Sequence, residues 1–229
     1  MFHGGRSGSE VLGLQLLQNE NIYWDHELFH TTRVVSASGE IRENFNPVKY
    51  AELSTYKSTK PCYGFEIKPI HFRQVGLVPA TFIQSLRQRN FTHFIFLTRK
   101  NGLRRLISER VLAKTRKAHY KIDEETVLTK IELNPVRVLK RLKRMKHEFD
   151  PMRNAVHRKK VLDINYEDHI QNDPSIAYRI VCEFLGYDAV PARIQLRKSN
   201  PFPMSSIVRN YKTIKSKLEE TEFAWMLED

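Results

Sequence analysis

Residues 4 to 9 read Gly4-Gly5-Arg6-Ser7-Gly8-Ser9 and run into Glu10-Val11-Leu12-Gly13-Leu14-Gln15-Leu16-Leu17, whose leucines 12, 16 and 17 recur at helical spacing. Three glycines and two serines let a backbone approach an anion closely. The first free N–H groups of the helix point back into such a loop, and the helix dipole adds partial positive charge. Arg6 adds a full charge. This is the chemistry of a phosphate-like group held at a helix N-terminus. The Gly-Lys-Ser/Thr ending of an ATP-binding P-loop, which brings lysine to the outer phosphates and a hydroxyl to magnesium, is absent. The loop is therefore expected to hold its anion without that metal ligand. Taken alone, a Gly/Ser stretch before a helix also fits a simple turn with an N-cap.

A second group of candidates lies further on. His93 to Thr98 reads as a buried strand, and Arg99 follows at its C-terminal edge, where open α/β sheets bind ligands. Ser108 comes nine residues later on the next helix. Together Arg99 and Ser108 can clamp a second phosphate.

The elements that must position these residues alternate helix and strand, as in βαβ units around a parallel sheet. The pattern predicts a helix from Ser9 to Gln18, a short strand over Asn21–Trp24 and a loop from Thr31 to Asn46. Asn46 as N-cap and Pro47 at the first helical position then open a helix. Strands are expected over Tyr63–Ile67, His93–Thr98 and Val161–Tyr166, with helices over Pro79–Arg89 and Asn101–Lys117. Asp173-Pro174 opens another helix that stops at Gly186, and a last one begins near Pro203. No repeat or long linker interrupts the chain, so one α/β domain over 1–229 is expected: P-loop-like, with a central parallel sheet flanked by helices.

Composition fits a polyanionic ligand. The chain has 229 residues, 41% hydrophobic, enough to bury one large core. Its 38 Lys and Arg against 26 Asp and Glu leave a net charge of +12, which favours nucleic acid, acidic glycans or lipids, or small phosphate and sulfate ligands. Cys62 and Cys182 form no disulfide framework and have no metal-like spacing. The longest apolar stretch near a strand, Phe94-Ile95-Phe96-Leu97, is too short for a bilayer, and no basic-then-apolar signal region opens the sequence. A soluble, cytoplasmic protein is expected.

The segment from Phe96 to Ser108 resembles the 3′-phosphate element of sulfotransferases that use 3′-phosphoadenosine 5′-phosphosulfate (PAPS), and Arg6-Ser7-Gly8-Ser9 is similar to their 5′-phosphosulfate loop. Three further stretches follow in the family's order, so the resemblance covers nearly the whole chain. Asn165-Tyr166-Glu167-Asp168 is similar to its Tyr-Glu-Asp-Leu element, and Phe184-Leu185-Gly186 to its Phe-Leu-Gly. Asn210-Tyr211, with Lys198 before and Thr221 after, resembles its adenosine-side segment. The bacterial branch that modifies carbohydrates and small metabolites is the nearest likeness.

The resemblance implies a PAPS cofactor with product 3′-phosphoadenosine 5′-phosphate (PAP), no metal, and a small-molecule or carbohydrate acceptor. It gives the 5′-phosphosulfate to Gly5 and the backbone N–H groups of Ser7, Gly8, Ser9 and Glu10. Arg6 would neutralise the leaving oxygen, and Arg99, Ser108 and Lys198 would hold the 3′-phosphate. An acceptor hydroxyl also needs a base, which typically contributes ~10²–10⁴ in rate. Glu27, in Asp25-His26-Glu27-Leu28-Phe29, stands where that branch has Gly-Glu-Ile-Phe and is the leading candidate. His71 and Glu66 are the others. The opposing reading of Glu27 is a loop-shaping carboxylate paired with an arginine such as Arg33. A carboxylate base with its pKa raised by partial burial would give an acid limb at or below about pH 6–7, whereas a histidine base would centre it near ~6.5. His26, His30 and His119 read as acceptor-site or surface histidines, with no zinc spacing.

Three positions depart from the family. Glu10 occupies a place where Ser or Thr adds a hydroxyl, and its carboxylate should repel the anion unless it turns away. Glu66 replaces a common lysine, with Lys68 two residues on along the same strand face. Only Met1-Phe2-His3 precede the loop, so the first strand is a stub or the natural chain begins upstream.

The basic run Arg137–Lys160 carries ten Lys and Arg, two acidic residues, and an apolar stripe of Val138, Leu139, Leu142 and Met145. It reads as the solvated face of an amphipathic helix. It also supports an alternative: a nucleic-acid or polyanion-binding module on an inactive nucleotide-binding fold. Against nucleic acid, no helix-turn-helix, RRM-like or zinc-finger pattern is present.

Overall fold

The computed structural model describes residues 1–36, 38–156 and 160–228. Residues 157–159 of the basic run and residue 37 of the expected Thr31–Asn46 loop lie outside the described residues. The chain divides into two compact units, one of Met1–Thr98 with Phe149–Arg193 and one of Arg99–Glu148 with Ile194–Asp229.

The first unit contains the parallel sheet. Strands β1 (Phe2–His3), β4 (Phe94–Thr98) and β6 (Val161–Asn165) pair in the order β1-β4-β6, all parallel. Strands β2 (Ile22–Glu27) and β3 (Cys62–Glu66) form a parallel pair. A parallel bridge between Phe2 and Ile67 ties that pair to β1, with the His3 N–H donating to the Ile67 carbonyl at 3.1 Å. The result is one layer in the order β2-β3-β1-β4-β6, flanked by helices, the expected P-loop-like α/β architecture.

Helices α1 (Ser9–Leu16), α2 (Thr31–Val34), α3 (Pro47–Ser54), α4 (Pro69–Gln74), α5 (Pro79–Arg87), α8 (Asp150–Ala155), α9 (Tyr166–His169) and α10 (Pro174–Leu185) belong to this unit. Their local signals are visible. The Asn46 side chain accepts from the Lys49 N–H at 3.0 Å, Asp173 accepts from Ser175 at 2.9 Å, and Gly186 ends α10 at φ +83°.

Alternation along β4 explains its central place. Phe94 and Phe96 enter one core with Phe2, Phe65, Phe72 and Phe82, whereas Ile95 and Leu97 enter the opposite core with Leu12, Leu16, Ile164 and Tyr178. A strand covered on both faces must be apolar at every position, as this one is up to Thr98.

The second unit is built on α6 (Gly102–Thr115), the β5 (Tyr120–Lys121) and β7 (Leu196–Arg197) antiparallel pair, α7 (Pro135–Lys146), α11 (Met204–Ile207) and α12 (Tyr211–Leu218). Val138 and Leu142 of α7 are buried, and Leu139 and Met145 pack beside them, so the stripe in the basic run faces this unit's core. Arg141 pairs with Glu109 and Lys146 with Glu222, both at 2.5 Å, while Arg137, Lys140, Lys143 and Arg144 face solvent.

Several local expectations are corrected. The Thr31–Asn46 segment contains the short helix α2, whose N-cap is the His30 ring, accepting from the Thr32 N–H at 3.3 Å. Strand β2 runs three residues beyond Trp24, to Glu27, which pairs with Glu66 of β3 across a shift in register. Lys68 does not share a strand face with Glu66, since β3 ends at Glu66 and Lys68 is the N-cap of α4.

Candidate functional site

The loop between β1 and α1 takes a conformation that side chains normally resist. Gly5 at φ +79°, Arg6 at φ +53° and Gly8 at φ +88° all lie in the left-handed region. At Gly8 a Cβ would also stand 2.8 Å from Ile170 and 3.1 Å from Tyr166, so both torsion and space require glycine. Among the described residues no side chain caps the N-terminus of α1. Ser7 is buried, and its Oγ finds no hydrogen-bond partner within the described chain. An uncapped helix start, a cradle that excludes Cβ and an orphaned buried hydroxyl are a fit for an anionic oxygen cluster.

A network beneath the loop holds it in place. The Gly5 N–H donates to His3 Nδ1 at 3.3 Å, and the other ring nitrogen, Nε2, stands 3.1 Å from Glu66 Oε2. The second Glu66 oxygen accepts from the Trp24 indole N–H at 2.8 Å. Glu66 is 1% exposed. Burial opposes its ionisation, but the His3 and Trp24 hydrogen bonds outweigh that and hold its pKa at about 2. Enclosed in this way, Glu66 braces the loop from behind.

Glu27 lies at the end of β2 and meets two groups from α4. Its Oε1 is 2.5 Å from Lys68 Nζ, and its Oε2 is 3.5 Å from His71 Nε2. The Lys68 N–H donates to His71 Nδ1 at 3.2 Å, which leaves the His71 proton on Nε2, facing Glu27. Lys68 Cε passes 3.6 Å from where a Gly5 Cβ would stand, so the pair closes against the loop between β1 and α1. Two of the expected base candidates therefore share one spot, with His71 behind Glu27.

Partial burial does not, on balance, raise the Glu27 pKa. Burial pushes it up, but the His71 hydrogen bond and the Lys68 charge more than reverse this, leaving it well below the usual carboxylate range. Burial lowers the His71 pKa, against a smaller opposing effect of Glu27, so the ring is kept neutral. Nor is Arg33 the partner of Glu27. It pairs with Asp25 at 3.0 Å, where Lys57 and the Tyr63 hydroxyl converge at 2.6 Å each.

Glu10 does turn, and toward a group that the sequence pattern left on the surface. Its Oε2 lies 3.5 Å from His26 Nδ1. The Glu10 carboxylate beside it raises the His26 pKa, against the effect of burial. His26 reaches this position at φ +46°, where the register of β2 on β3 shifts between Trp24 and Glu27.

The residues matched to the 3′-phosphate belong to the second unit. Arg99 directly follows β4, Ser108 is buried within α6, and Lys198 follows β7. Among the described residues no group of three or more His, Cys, Asp or Glu is placed to hold a metal ion, and no helix is long and apolar enough to cross a membrane. Sequence reasoning found no role for His3, read His26 as an acceptor-site or surface histidine, and placed Lys68 only beside Glu66 on a strand. Only Lys68 had a signal, Pro69 at the first position of a helix.

No protein-family model matches the chain, and no curated protein sequence does. Among solved structures, a sulfotransferase from Alicyclobacillus acidocaldarius aligns with a TM-score of 0.54 at 16% identity, covering 99% of this chain and 93% of that one. At that identity the likeness concerns the backbone arrangement, and it extends over both units. The chain thus has the fold of a sulfotransferase.

Proposed function

We propose that the chain transfers a sulfuryl group from PAPS to a hydroxyl or amine of a small metabolite or carbohydrate by in-line displacement. The observation that carries this reading is Glu27, brought on Lys68 to the edge of an uncapped anion loop whose Ser7 hydroxyl is buried without a partner. When bound, PAPS supplies the sulfuryl group and the PAP leaving group. Gly5 and the N–H groups of Ser7, Gly8, Ser9 and Glu10 cradle the 5′ anion, and Arg6 offsets charge on the departing oxygen. Arg99, Ser108 and Lys198 take the 3′-phosphate through charge-assisted hydrogen bonds. Glu27 takes the acceptor proton. His71 stands behind the second Glu27 oxygen with its Nε2 at 3.5 Å, and Lys68 keeps the carboxylate ionised until the acceptor arrives.

The fold of a sulfotransferase supports this reading over an inactive nucleic-acid-binding module. The test is incubation with sulfur-labelled PAPS and a panel of hydroxyl and amine acceptors in excess EDTA. Label transfer that survives EDTA is expected, because amides and Arg6 replace the metal. A strict metal requirement, or salt-sensitive polyanion binding without transfer, would overturn it.

A further inference from the structure

Glu10 is a carboxylate in the first turn of a helix whose N-terminus faces the anion loop. Left bare, it would oppose any phosphate held there. His26 answers it at 3.5 Å, and both side chains are only partly exposed. The register shift at His26 lets two consecutive β2 side chains reach groups of the loop region, His26 to Glu10 and Glu27 to Lys68. A strand without the shift would send them to opposite faces. The ring is also influenced by Glu66 from β3, which favours its charged form, and by Arg33 from α2, which opposes it. Asp25 and Glu27 flank it on β2.

We propose that Glu10 and His26 form a protonation-controlled counter-charge in the donor site: protonated His26 cancels Glu10 and admits the anionic nucleotide, whereas neutral His26 leaves Glu10 to repel it. This rests on the reading of Gly5–Glu10 as the donor-anion loop. The strained histidine and the carboxylate in place of a hydroxyl then have one purpose, coupling donor affinity to pH. His26 is a positioning residue here, since it acts through Glu10. The raised pKa of His26 agrees with the pairing.

The experiment is calorimetric titration with PAP from pH 7 to 9, where phosphate is mostly dianionic and lysine and arginine stay largely charged. The dissociation constant of the wild type should rise about tenfold over that range. Glu10→Ser should bind PAP with no such slope and at least as tightly as the wild type at pH 7. His26→Asn should bind PAP more weakly than the wild type at pH 7 and show no such slope. A flat wild-type profile, or a slope that persists in Glu10→Ser, overturns the proposal while leaving the donor site intact. Absence of PAP binding at every pH overturns the donor-site reading and this coupling with it. Proton NMR of the histidine rings gives a readout that needs no nucleotide: His26 should titrate at lower pH in Glu10→Gln, and an unchanged midpoint refutes the pair.

Discussion

Glu27 and Lys68 meet at 2.5 Å, and the backbone N–H of the same lysine fixes the tautomer of His71 behind them. Lys68 therefore both helps keep the carboxylate ionised and directs the imidazole. Glu27→Gln keeps the shape but removes basicity. It should lower kcat by ~10²–10⁴ while PAP affinity stays within about threefold. His71→Asn, acting through Glu27, should be milder. Steady-state kinetics with calorimetry checks both, and near-full turnover in Glu27→Gln with none in His71→Asn would reverse the roles.

The same contacts fix the pH dependence. The Glu27 pKa is held down, so its basic form persists as pH falls and is lost only in strong acid. His71 is pushed down as well. The acid limb of kcat, which reports the groups in the bound complex, should therefore lie below the ordinary histidine value. A limb centred near ~6.5 would indicate an unperturbed histidine as base.

Much of this arrangement was legible locally. Asn46-Pro47, Asp173-Pro174 and Gly186 mark helix ends because caps and prolines act within a few residues. The loop at Gly4–Ser9 was legible for the same reason. The partners of Glu27, Glu10 and Asp25 were not. Glu27 chooses Lys68 over Arg33 because α4 starts beside β2, while Asp25 already engages Arg33, Lys57 and Tyr63. The left-handed His26 is likewise a product of strand register, which no nearby residue type announces.

Glu66 links the loop to acid stability. Its folded pKa of about 2 lies below the ordinary value of 4.5, so its contribution is present above about pH 4.5 and is lost as pH falls toward 2. Removing one member of a buried ionic network costs about 3–5 kcal/mol. Glu66→Ala should lower the urea midpoint accordingly at pH 7, with the difference from wild type narrowing below pH 4.5. A constant difference down to pH 2.5 would place the cost in packing alone.

Gly8→Ala tests the cradle. A methyl there meets Ile170 at 2.8 Å in a backbone that alanine disfavours, and ~1–3 kcal/mol of stability should be lost. PAP binding should weaken at least tenfold, because the loop must open to relieve the clash. Gly39→Ala is a suitable control, since it shares the positive φ but has nothing within 4 Å. It should lose stability without losing PAP.

The most direct test of the central claim is calorimetric titration of the wild type and Arg99→Ala with PAP and with the nucleotide lacking the 3′-phosphate. Micromolar PAP binding is expected in the wild type. Arg99→Ala should weaken it by ~10–150-fold, the loss of one charge-assisted contact of about 1.5–3 kcal/mol, and should barely change binding of the dephosphorylated nucleotide. Equal losses for both nucleotides would contradict the role of Arg99, and no PAP binding by the wild type would contradict the donor site itself.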